Sequence, residues 1–198
     1  MDMKQFIQSL MQAAKKGSGS FVGDRGLGIE SIGVGAAVAV RDRIKWQPKW
    51  KIEKYHGEAK PENLYAVEEF AGNLLLNEGI TELLNLLIGD GAATAFSNAN
   101  AYIGVGDDDT AAAAAQTGLQ AAVNKLYKAM DATYPQVVDQ TVTFRSTYGN
   151  GEAAFAWKSF TVANGNSDAA VNLNRLVEDH GVKASADTWV LSCQITIS

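Results

Sequence analysis

Apolar residues recur along this chain with two different periods, and the change of period divides it. Near the start Met3, Phe6, Ile7, Leu10, Met11 and Ala14 fall at i, i+3, i+4, i+7, i+8 and i+11, the single stripe of an amphipathic helix. Lys15 and Lys16 occupy its last turn, where cations complement the negative end of the dipole, and Gly17 stops it. The glycine-rich run GSGSFVGDRGLGIESIGVGAA that follows is too flexible for a core and too long for a tight turn. The pattern predicts an arm over residues 1–37 and a folded domain over 38–198. The stripe Met3, Phe6, Ile7, Leu10 and Met11 must be covered, because a helix this short is marginal alone in water. It either folds back on its own domain or is captured by a neighbouring subunit. The tether favours capture, since residues 17–37 span up to roughly 70 Å at about 3.3 Å per residue.

Beyond the tether, period two dominates. In IKWQPKWKIE the residues Ile44, Trp46, Trp50 and Ile52 share one face, while Lys45, Gln47, Lys49, Lys51 and Glu53 share the other. Pro48 has no N–H to give a ladder, which places this strand at an edge or breaks it there. TVTFRSTY alternates Val142, Phe144 and Tyr148 with Thr141, Thr143, Arg145 and Thr147. GNGE then turns the chain, and Ala153, Phe155 and Trp157 return on one face, with a phase change at Lys158–Ser159 that a β-bulge would produce. The last strand sets Trp189, Leu191, Cys193, Ile195 and Ile197 against Thr188, Val190, Ser192, Gln194 and Thr196. One internal helix interrupts the strands: in NEGITELLNLLIGDG, Asn77 is the expected cap, Ile80, Leu83, Leu84 and Leu87 the expected buried stripe, and Gly89 the left-handed stop. EEFAGNLLL, just before it, fits strand or helix equally. The pattern is mainly β (α+β), with a few helices.

Composition narrows the chemistry. Hydrophobic residues make up 46% and charged residues 20% of the 198 positions, the balance of a folded domain. With 17 basic and 22 acidic residues the net charge is −5, which argues against gripping a nucleic-acid backbone directly. A single cysteine, Cys193, excludes an intramolecular disulfide and a Cys-rich zinc site, and its apolar phase makes it a buried structural thiol. Without an apolar leader or a run of about eighteen apolar residues, the chain is expected to be made in the cytosol and not to span a membrane.

The run IGVGDDDTAAAAAQTGL, residues 103–119, invites a phosphate-loop or metal reading. A phosphate loop needs a lysine and a Ser/Thr after its last glycine, and this run holds no lysine. Asp107, Asp108 and Asp109 are contiguous, so in an extended stretch they point to opposite sides and do not converge on one ion. The expected roles are a turn capped by an aspartate and a helix capped by Thr110 or Thr117. His56 and His180 lie in no zinc-protease or serine-hydrolase motif. No catalytic, cofactor-binding or metal-binding residues are assigned, and no enzyme is expected.

The order WKIEKYHG, NLLLNEGITELLNLL, AYIGVGDDDTAAAAAQTGLQ, VTFRSTYGNGEAAFAWKSFTVANG, TWVLSCQITIS resembles a family of small virion structural proteins of tailed bacteriophages, over about residues 50–198. The resemblance implies an antiparallel β-sandwich. It also implies a non-enzymatic capsid decoration (cement) protein or a tail-associated component, located in the virion and assembled in the host cytoplasm. Its partners would be the major capsid protein or other virion proteins, and the chain itself would be a homo-oligomer, a trimer among the options. The alternative is a tail or adhesin component that binds a host-surface glycan or protein. For partner binding, the residues picked out are Met3, Phe6, Ile7, Leu10 and Met11.

Overall fold

The computed structural model describes residues 45–198. The expected helix of Met3, Phe6, Ile7, Leu10 and Met11 and its tether therefore lie outside the described residues. Among the described residues the strands are β1 (Trp46–His56), β2 (Leu64–Ala71), β3 (Leu74–Leu75), β4 (Tyr102–Gly106), β5 (Lys125–Ala129), β6 (Gln136–Val138), β7 (Thr141–Tyr148), β8 (Ser159–Ala163), β9 (Asn174–Val177) and β10 (Asp187–Ile197), with one α-helix, α1 (Asn77–Ile88), and a single 3-10 turn at Pro61–Asn63. They form two five-stranded antiparallel sheets. Sheet I has the order β2-β1-β10-β7-β6 and sheet II the order β3-β9-β8-β4-β5. The fold is a mainly β sandwich.

The alternation read along β1, β7 and β10 turns one set of side chains into the space between the sheets. Trp50, Ile52, Phe144, Tyr148, Trp189, Leu191, Cys193 and Ile195 meet Ile103, Val105, Phe160 and Val162 in one continuous core. Trp157 fills its middle, with ring centroids 4.7 Å from Tyr148 and 4.8 Å from Trp189 at steep angles, the edge-to-face geometry that aromatic quadrupoles favour. The Tyr148 hydroxyl donates across to the carbonyl of Ile103 at 2.7 Å, which ties the sheets together.

Pro48 does not make β1 an edge strand. β1 pairs with β10 along its whole length, and with β2 only from Lys49 onward. The residues up to Pro48 are thus one-sided, which accommodates the missing N–H while the rest of the strand is interior. β2 forms that edge instead.

The expected return hairpin after GNGE is also corrected. β7 pairs with β10 and β6, whereas β8 pairs with β4 and β9 in the other sheet. Residues 149–158 therefore carry the chain from sheet I to sheet II. The phase change at Lys158–Ser159 marks the start of β8 and is not a bulge.

α1 ends as expected but begins differently. At its end Gly89 takes the left-handed conformation (φ 71°) with its N–H on the Leu86 carbonyl, as glycine stops do. At its start Leu76, not Asn77, holds the cap position without a side-chain bond, and the Asn77 N–H is satisfied by the Ala114 carbonyl at 2.8 Å. The helix is also rotated. Gly79, Glu82 and Leu83 face inward, while Ile80, Leu84 and Leu87 face out. The inward set is the expected stripe moved back by one residue, a rotation of about 100°. Gly79 sets it: a Cβ there would sit 2.6 Å from the Leu173 Cα, so only glycine lets the helix approach the backbone of Leu173, just before β9, on this face.

Candidate functional site

The outward phase of β1, β10 and β7 builds a polar surface in rows. Register aligns Ala71, Lys49, Gln194 and Thr143 in one row, and Glu69, Lys51, Ser192 and Arg145 in the next. Adjacent strands lie about 4.8 Å apart, so each row spans roughly 15 Å. An open depression of about 780 Å³ lies on this face, with Tyr134 among the residues that line it.

Few of the charges on this face are held fast. Lys51 reaches Glu53 at 3.2 Å, with both side chains partly exposed. Arg145 lies 3.5 Å from Asp131, and its guanidinium carbon stands 5.7 Å from the Tyr134 ring centroid. Lys49 and Glu69 pair with no opposite charge among the described residues. Exposed pairs of this kind contribute little to stability, so their groups can exchange one partner for another at small cost. The surface can hold a broad polar partner by hydrogen bonds and short-range charge; it offers no enclosed cleft for a small molecule.

The aspartate run lies elsewhere and its three carboxylates diverge. Asp107 accepts from Asn124 Nδ2 at 2.7 Å, Asp108 from Arg175 Nη2 at 2.9 Å, and Asp109 from Lys158 Nζ at 3.1 Å. Asp108 also accepts from the Thr110 N–H, the aspartate-capped turn that was expected. No helix follows: residues 107–121 are irregular, so neither Thr110 nor Thr117 caps one. The organising residue is Arg175 of β9, whose side chain is fully buried. Its guanidinium donates to Asp108, the Thr110 and Leu119 carbonyls and Gln116 Oε1. Burial pushes this guanidinium down from its ordinary value, with Asp108 opposing. Glycine serves the strand before the run: a Cβ on Gly104 would meet Tyr127 and Thr161 side-chain atoms at 2.8 Å, so β5 and β8 close over it.

Each histidine is oriented by a carboxylate. His56 Nδ1 lies 3.1 Å from Asp187, whose other oxygen accepts from Tyr65, and the His56 and Tyr65 rings stack at 4.1 Å. His180 Nδ1 lies 2.7 Å from Glu68, which also takes the buried Lys54 ammonium. Burial pushes the Glu68 carboxyl up, but Lys54 and His180 outweigh it and hold it below the usual range. Among the described residues no hydroxyl or thiol is hydrogen-bonded to either ring. Cys193 is buried in the core, and burial pushes its thiol well up, which makes it inert. Trp50, Trp157 and Trp189 are core residues too, with Trp46 half-buried.

The alternation places Lys49, Lys51 and Arg145 on the phase opposite the apolar residues and assigns them no role. The signal for a shared surface was their equal parity on strands whose pairing order was unknown. The residues singled out for partner binding, Met3, Phe6, Ile7, Leu10 and Met11, lie outside the described residues. No helix among those described is long and apolar enough to cross a membrane. No protein-family model, curated protein or solved structure matches the chain.

Proposed function

We propose that this chain is a non-enzymatic structural protein of a tailed-bacteriophage virion, a decoration protein that stabilises the head by contact with the major capsid protein. The observation that carries the reading is the outer face of sheet I: a wide, open, mixed-charge depression with Lys49 and Glu69 unpaired among the described residues. Such a face suits a protein surface, where complementary charges fix register more than they add affinity. The order of motifs that resembles small virion proteins supports the same reading. Cryo-electron microscopy of the parent particle tests it: density for the sandwich is expected at regular positions on the head lattice, with sheet I turned toward the shell. Density on the tail alone would overturn it.

One observation favours a second reading, a tail component that binds a host-surface glycan. Tyr134 borders the same depression beside Arg145, and an aromatic ring next to a cation can stack on a sugar and bond its hydroxyls. Binding of the isolated protein on a glycan array, lost in Tyr134→Ala, would favour this reading.

A further inference from the structure

His180 closes the sandwich beside the edge strand β2, and one nitrogen of its imidazole is left unsatisfied. Its side chain is only 7% exposed. The ring packs on Phe70 of β2, with centroids 3.9 Å apart, and on Phe160 of β8 at 5.4 Å, so it touches both sheets. Nδ1 lies 2.7 Å from Glu68. An ionised carboxylate can only accept, so Nδ1 carries the proton and donates. In the neutral ring Nε2 is then a bare acceptor. It is buried and has no hydrogen-bond partner among the described residues. Glu178 Oε1 stands 3.8 Å from it, and that oxygen is an acceptor too. Two acceptors at this distance make no bond, and a buried acceptor without a donor is costly.

We propose that His180 is a pH-operated latch: a proton taken up at Nε2 turns this acceptor into a donor, draws Glu178 onto the ring and fastens the turn 178–181 to Glu68 of β2. The backbone of that turn is already tied toward sheet II, since the Glu178 and His180 N–H groups donate to the Lys158 and Trp157 carbonyls just before β8. Glu68 belongs to sheet I, so the charged ring would join the sheets along this edge. The surrounding charges suit the role. Lys54 of β1 donates to Glu68 at 2.5 Å and to the His180 carbonyl at 2.9 Å. While the ring is neutral, Lys54 offsets only one of the carboxylates Glu68 and Glu178; the charged ring offsets the other, through charge-assisted bonds. Glu178 has no other ion pair among the described residues. The neighbouring charges are engaged elsewhere: Asp179 accepts from the Gly181 N–H at 2.8 Å, and Lys158 donates to Asp109 at 3.1 Å. Burial pushes the Glu68 carboxyl up, but Lys54 and His180 outweigh it and hold it below the usual range. Glu68 therefore stays ionised across the interval near neutrality in which histidines titrate. The ring is the group that switches.

Imidazole nitrogen–proton NMR spectra of the full chain test the latch, because His56 and His180 are its only histidines. Between about pH 8 and pH 5, His180 is expected to gain an Nε2 proton that exchanges slowly with water. The exposed ring of His56 gains one that exchanges fast. Over the same interval hydrogen exchange at the amides of 178–181, corrected for the intrinsic effect of pH, should slow by about tenfold. Glu178→Ala, at a half-exposed side chain, should abolish that slowing, and His56→Asn should keep it. The proposal is overturned if His180 Nε2 stays unprotonated throughout, or if the slowing is absent or survives in Glu178→Ala. A slowing that is lost in His56→Asn also overturns it and assigns the switch to the His56–Asp187 pair.

Discussion

Two groups of charged residues on this molecule do opposite things. Around Arg175, charges are gathered inside the fold: a fully buried guanidinium holds Asp108, two carbonyls and Gln116, and closes the loop 107–120 over sheet II. On the outer face of sheet I, Lys49, Lys51, Glu53, Glu69 and Arg145 lie in the open with weak partners or none among the described residues. The conspicuous aspartate triplet belongs to the first group and serves the fold. The unremarked lysines belong to the second and are free to meet a partner. What separates the groups is how many bonds each charge already makes, and that number depends on tertiary position, which charge density along the chain does not report.

The sharpest way to break the comparison is at its buried end. Arg175→Met removes the donor from Asp108, Thr110, Gln116 and Leu119 together, leaving buried acceptors unpaired. Loss of one partner of a buried ion pair typically costs about 3–5 kcal/mol, and urea unfolding is expected to show a loss of that size. Asp108→Asn should cost less, because Asp108 is partly exposed and Arg175 keeps its other three acceptors. Equal losses, or a change below about 1 kcal/mol for Arg175→Met, would mean that the loop does not depend on this residue.

Asp168 gives an intermediate effect, read through pH. It accepts from Lys125, from the Tyr127 hydroxyl at 2.6 Å and from the Leu119 N–H at 3.1 Å. Burial pushes its carboxyl up, but these donors outweigh it and hold it below the ordinary 3.8. With the folded value depressed, the unfolded chain binds the proton more readily. The stability contributed by Asp168 is then complete above about pH 4 and is lost as the pH falls through the folded value. Asp168→Asn should lower the melting temperature at pH 7 and flatten its dependence on pH below 4.5. If the acid limb is as steep in the variant as in the parent, the carboxylate is not held as the geometry implies.

The sandwich was legible where apolar residues alternate strictly. β1, β7 and β10 fall on the predicted parities, because burial on one face enforces period two. The strand pairing was not legible, since alternation says which face a residue takes but not which strand lies beside it. GNGE thus read as a hairpin, although residues 149–158 cross between sheets. In α1 the leucines gave the right element and the wrong face. The glycine contact at Gly79 and the buried acceptor of Glu82 outweighed the count of apolar residues. The candidate site escaped for the same reason as the pairing. Lys49, Lys51 and Arg145 are far apart in sequence and become neighbours only because β10, the last strand, inserts between β1 and β7.

The smallest effect on stability is expected on the open face, and it is the most informative about function. Lys49 has no carboxylate partner among the described residues, and the Lys51–Glu53 pair is exposed enough for water to screen it. Replacing Lys49 and Lys51 together by alanine should shift stability by no more than about 0.5 kcal/mol, the ordinary range for surface positions. If the face meets a partner, the same pair should weaken attachment to the particle, and more so at low ionic strength, where unscreened charges act over a longer range. Co-sedimentation of the purified variant with particles lacking the protein reads this directly. A variant that binds as tightly as the parent at every salt concentration removes the outer face of sheet I from the interface. A variant that loses several kcal/mol of stability instead would place these lysines with Arg175, among the charges that hold the fold.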